Sequence, residues 1–140
     1  MTNVVIAGTG MIQFGKFPNR TMKNMVNSVV IEALEDSNCS TDDISQVFFG
    51  NAASGLLTGQ ECIQGQVSLR NTNLLGIPII NIENACASSS TAFNMAIMAI
   101  ESGQSEAVLV IGAEKMTSTD KNAPLRALET AADIEELEQL

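Results

Sequence analysis

The chain has 140 residues, of which 45% are hydrophobic and 16% charged. That is enough apolar material for one domain of ordinary size with a core, and it excludes a globally disordered chain. Sixteen acidic side chains against 7 basic ones leave a net charge of −9. This argues against a nucleic-acid surface or an anionic-membrane surface, so no nucleic-acid and no membrane partner is expected.

Val4 to Ala7 is a short β-branched run and reads as a buried strand. Gly8-Thr9-Gly10 ends it in the GxG pattern that opens a dinucleotide fingerprint, but Gln13 stands where the third glycine belongs, so a Rossmann site is rejected. Met11 to Arg20 is a loop. Thr21 is placed to cap a helix running to about Asp36, with Met22, Met25, Val26, Val29, Val30, Ala33 and Leu34 as one apolar stripe. Ser37 to Asp43 is turn-rich, and Val47-Phe48-Phe49-Gly50 is a second buried strand. Asn51 to Gly59 is a small-residue loop, and Gly59 to about Leu69 a less regular helix carrying Cys62, read as structural. After a turn at Asn71 to Pro78, Ile77 to Ile82 is a third strand.

That strand leads into IENACASSSTAFNMAIMAIESG, Ile82 to Gly103: a sharp turn carrying Cys86, then a helix apolar all round and therefore expected to be buried on nearly all sides. Gly103 ends it as the residue after the C-cap. A lone cysteine in an apolar stretch is more often packing than chemistry. At a helix N-terminus, however, free backbone N–H groups and the helix dipole favour a thiolate. Ala107 to Ile111 is a fourth strand without alternation, so both its faces should be covered. Strands alternating with helices predict a parallel or mostly parallel sheet with helices packed on it. Thr117 to Ala123 is polar, and Arg126 to Leu140 reads as a short acidic helix or solvated tail.

Cys39, Cys62 and Cys86 are odd in number and without close pairing. Met1 to Gly10 lacks the features of a secretory leader, and no apolar run reaches transmembrane length. Free thiols in a reducing, cytoplasmic setting are the expectation. There is no histidine. A Cys–His catalytic pair therefore cannot form within these 140 residues.

Taken together and in order, GTGMIQFGKF, VFFGNA, GQVSLR, GIPIINIENACASSSTAFNMA and VLVIGAEKMT resemble the N-terminal portion of the thiolase family, nearest to the sterol-carrier-protein type and its acetyl-CoA acetyltransferase relatives. The resemblance covers essentially the whole chain. It implies an α/β fold: the N-terminal half of a thiolase-like fold, with a mixed, mostly parallel five-stranded sheet, helices on both faces and a second, similar half packed against it. Residues 1–116 would form this half-domain, and 117–140 the start of the following loop region or an acidic tail. The resemblance makes Cys86 the nucleophile that takes an acyl group from an acyl-CoA. Coenzyme A thioesters are then substrates, and no cofactor is bound covalently. Many relatives carry Gly where Ser89 stands, which would narrow the space beside the nucleophile.

In the family, the catalytic His, the second cysteine and the Asn motif belong to the C-terminal half. The resemblance therefore implies a base supplied by another chain or segment, and Glu83 and Asn84 are read as turn or packing residues. The expected partner is a complementary thiolase C-terminal chain, a homo-oligomer, or both, with Ile79 to Ile82 shielded at an interface. Three functions follow: the nucleophile-bearing part of a thiolase, a catalytically incomplete scaffold subunit, or a ketoacyl-synthase-type condensing enzyme. The Ala-Glu-Lys-Met ending favours thiolase over the last.

Overall fold

The computed structural model describes residues 3–136. Its centre is β1 (Gln46–Gly50), every residue of which is buried. It pairs in parallel with β2 (Ile79–Ile82) on one side and with β3 (Val108–Gly112) on the other, giving the order β2-β1-β3. Parallel neighbours need crossover connections. The first crossover holds α2 (Ser54–Thr58) and α3 (Gln64–Ser68), and the second holds α4 (Ser88–Glu101). Before the sheet comes α1 (Met22–Ser37), and after it α5 (Ala123–Glu129). This is the α/β class expected, a parallel sheet with helices packed on it, though the described residues form three strands, all parallel, where a mixed five-stranded sheet was expected.

Alternation along the strands divides the core in two. Val47, Phe49 and Ile111 face α1, where they pack with Val26, Val30, Leu69 and Leu74. Phe48 and Ile82 face α4, against Ala92, Ala96 and Ala99. Three alanines at helical spacing keep the α4 backbone close to the sheet. At its start, α1 is fixed by a capping box: Thr21 Oγ1 accepts from Asn24 N–H, and Asn24 Oδ1 accepts from Thr21 N–H.

Four expectations are corrected. Val4 to Ala7 forms no strand, and Val5 and Ile6 are 77% and 68% exposed. A β-branched run favours extended backbone whether or not a partner strand lies beside it, and here none does. Second, α4 is buried on one face only: Ala92, Ala96 and Ala99 pack on the sheet, while Phe93, Met95 and Met98 are exposed. Third, the stretch read as a loop and one helix is two single-turn helices, α2 and α3, parted by an exposed turn containing Cys62. Fourth, the last helix starts at Ala123, with Pro124 in its first turn, and ends at Glu129; residues 137–140 of the expected acidic helix lie outside the described residues.

The GxG at Gly8 and Gly10 has a packing explanation. A Cβ on Gly8 would stand 2.5 Å from Ala33 O, and one on Gly10 would run into Val29 O. Both glycines let the N-terminal segment lie directly on the α1 backbone, where Asp36 and Glu32 carboxylates accept from Thr9 and Met11 N–H.

Candidate active site

All three strands end on the same side of the sheet, the side at which open α/β sheets bind ligands. From the end of β2 the chain passes through Glu83 and Asn84 into a 3-10 turn, Ala85–Ala87, and then directly into α4. Cys86 is the middle residue of that turn and is exposed. Ala85 has φ 45°, a left-handed conformation that costs a non-glycine residue about 1–3 kcal/mol. The bend is therefore held rather than relaxed, and it presents Cys86 at the mouth of a fourteen-residue helix.

Side chains of the turn itself hold the bend. Ser88 is buried; its Oγ accepts from Asn84 N–H at 2.8 Å and donates to Ala85 O at 2.8 Å. Glu83 Oε1 accepts from Ala85 N–H at 2.6 Å, and Asn84 Nδ2 donates to Thr91 Oγ1 at 2.9 Å. Glu83 and Asn84 thus have the turn roles expected of them.

The other two strand ends are clasped beneath the start of α4. Asn51 Nδ2, just past β1, donates to Ala113 O, just past β3, at 2.6 Å, and to Ser54 Oγ at 2.7 Å. The Glu114 carboxylate accepts from Ala52 N–H at 2.9 Å and Ala53 N–H at 3.1 Å, and from Asn51 Nδ2 at 3.2 Å. Two glycines let α4 come down on this clasp. A Cβ on Gly50 would stand 2.9 Å from the Ser89 backbone, and one on Gly112 would meet the Ser89 side chain. Ser89 therefore points at the end of β3.

Only one cysteine lies at this site. Cys62 is exposed between α2 and α3, and Cys39 follows α1, half-buried. Among the described residues no cluster of acidic or thiol side chains is arranged to hold a metal. What the site offers is one exposed sulfur at a helix start, on a bend stitched by Ser88. The sequence singled out Cys86, but not Ser88, Asn51 or Glu114.

Residues 4–138 match the family described as Thiolase, N-terminal domain. Acetyl-CoA acetyltransferase of Methanocaldococcus jannaschii is 35% identical over 135 residues, which cover 96% of this chain and 34% of that protein. Sterol carrier protein 2 of Bos taurus is 33% identical over 115 residues, 81% of this chain and 20% of that protein. The solved structure of 3-oxoacyl-[acyl-carrier-protein] synthase III from Aquifex aeolicus VF5 superposes with a TM-score of 0.61 at 27% identity, covering 70% of this chain and 31% of that one. The chain thus spans about a third of the acetyltransferase and a fifth of the carrier protein. By the extent of the family match and the identity to these relatives, the chain belongs to the thiolase family.

Proposed function

We propose that this chain is the nucleophile-bearing part of a thiolase-type acyltransferase, with Cys86 as the acyl acceptor. The observation that carries the reading is the exposed Cys86 on a strained bend between a strand end and the N-terminus of α4. The Cys86 sulfur, as thiolate, attacks the thioester carbonyl of an acyl-CoA; the C–S bond to coenzyme A breaks and CoA thiolate leaves. The helix start carries the equivalent of about half a positive charge, which favours both the thiolate and the oxyanion of the tetrahedral intermediate. The acyl group then passes to the carbanion of a second acyl-CoA in a Claisen condensation, or to CoA in the thiolytic direction.

The proton leaving Cys86 has no histidine to go to within these 140 residues. The base belongs to a complementary chain or segment, so this chain by itself does not turn over. A subunit that assembles without reacting is the outcome if no such base joins it. The decisive trial presents the protein, in its natural assembly, with acetyl-CoA and with acetyl-acyl-carrier protein. Mass added to Cys86 from the CoA donor supports the thiolase reading. Mass added from the carrier protein alone supports the second reading, a ketoacyl-synthase-type condensing enzyme, which the likeness to the Aquifex synthase fold favours.

A further inference from the structure

Asn51, the first residue past β1, is bonded to the ends of both neighbouring strands. Its N–H donates to the O of Ile82, the last residue of β2, at 3.1 Å. Its Nδ2 donates to Ala113 O, just past β3, at 2.6 Å. These strand ends are the supports of the Cys86 segment. Ile82 leads directly into Glu83 and Asn84 and so fixes where the segment leaves the sheet. The first turn of α4 then comes down on Gly50 and Gly112. A Cβ on Gly50 would stand 2.9 Å from the Ser88 and Ser89 backbone, and one on Gly112 would meet Ser89 Oγ. Gly50 and Gly112 are the chain neighbours of Asn51 and Ala113. Where the segment departs and where it lands are therefore both tied to one residue.

Only an amide can make these bonds. Ala113 O and the Glu114 carboxylate accept and cannot donate, so the side chain must present Nδ2 to them and not Oδ1. Glu114 is itself held. Its Oε2 accepts from Ala52 and Ala53 N–H at 2.9 and 3.1 Å, and its Oε1 accepts from Asn51 Nδ2 at 3.2 Å. The buried Ser54 Oγ accepts from the same Nδ2 at 2.7 Å. We propose that Asn51 is a positioning residue for Cys86. Its amide, oriented by Glu114, locks the end of β3 to the end of β1 beneath Ser89, and so fixes where the sulfur stands over the sheet. It handles no proton and meets no substrate. The proposal rests on the reading of Cys86 as the acyl acceptor and adds a requirement that lies outside the Cys86 turn. Misplacing a reacting group by about 1 Å can cost about 100-fold in rate.

The test follows acetyl capture by Cys86 in the natural assembly, by intact mass after acid quenching, across a range of acetyl-CoA concentrations. Asn51→Asp keeps the size of the side chain and the backbone bond to Ile82, but sets a carboxylate against two acceptors. The capture rate at saturating acetyl-CoA should fall about 100-fold, with the half-saturating concentration unchanged. Glu114→Gln removes the charge that orients the amide and should lower the same rate about tenfold, roughly the loss of one hydrogen bond. Val30→Ala, in the core cluster on the α1 side, is the control: it lowers stability in urea and keeps the saturating rate. If Asn51→Asp does not fold, Glu114→Gln decides alone. An unchanged saturating rate overturns the proposal, as does a raised half-saturating concentration with that rate intact. An equal loss of rate in Val30→Ala overturns it too, because destabilisation alone would then suffice. An unmodified Cys86 in the unsubstituted assembly overturns the underlying reading, and is told apart because it shows before any substitution is made.

Discussion

At the residue scale, the site separates into the proposed nucleophile and the groups that hold it. Cys86 is exposed and supports little packing, so Cys86→Ser should leave the thermal midpoint unchanged while removing acyl capture by the assembly; differential scanning calorimetry and intact mass read the two effects separately. Ser88 is the reverse. Ser88→Ala deletes an acceptor and a donor from a buried position and leaves Asn84 N–H without its partner. A loss of about 1–3 kcal/mol in denaturant unfolding is expected, with acyl capture slowed because the bend is no longer fixed. The place of Cys86 at a helix start was legible in the sequence because a small-residue run leads there into an apolar helix that ends just before Gly103. Ser88, Asn51 and Glu114 were not. A serine among three consecutive serines and a glutamate after a strand look like turn filler until the strand ends they join are brought together.

At the element scale, close approach of α4 to the sheet depends on glycines. Gly112→Ala places a methyl group against the Ser89 side chain. Overpacking of this kind costs about 1–3 kcal/mol. The obstructing atoms belong to the side chain and not to the backbone, so Ser89→Gly in the same molecule should recover most of the loss, less about 0.5–1 kcal/mol for a glycine in a helix. A double-mutant cycle by urea denaturation measures the coupling; additive losses would mean that Ser89 does not point where the structure puts it. The stripe of α1 and its Thr21 cap were legible because both are local: the stripe repeats at helical spacing, and cap and box lie within four residues. Val4 to Ala7 was misread because pairing is not local. The burial of α4 was over-read for a related reason. All-round apolarity does not say which faces of a helix are packed, and Phe93, Met95 and Met98 stand exposed.

At the scale of the whole molecule, exposed apolar or open surfaces fall on three sides. The outer face of α4 is apolar and exposed, the outer edge of β3 has no partner strand among the described residues, and β2 is the opposite edge of the sheet. The β2 edge is already partly closed, since Gln66 Nε2 donates to Ile79 O and Asn81 Oδ1 accepts from Gly65 N–H. Exposed apolar faces and open strand edges drive association. Light scattering at micromolar concentration should therefore find a complex, homomeric or with a second chain. A stable monomer would contradict this expectation and with it the shielding of Ile79 to Ile82.

The account stands on Cys86 as the atom that takes up the acyl group. The protein, isolated in its natural assembly, is incubated with acetyl-CoA, quenched in acid and mapped by mass spectrometry. One acetyl group on Cys86, removed again on addition of free CoA, is the predicted result. An unmodified Cys86 in an assembly that consumes acetyl-CoA, or an acetyl group on Cys39 or Cys62 instead, would contradict it.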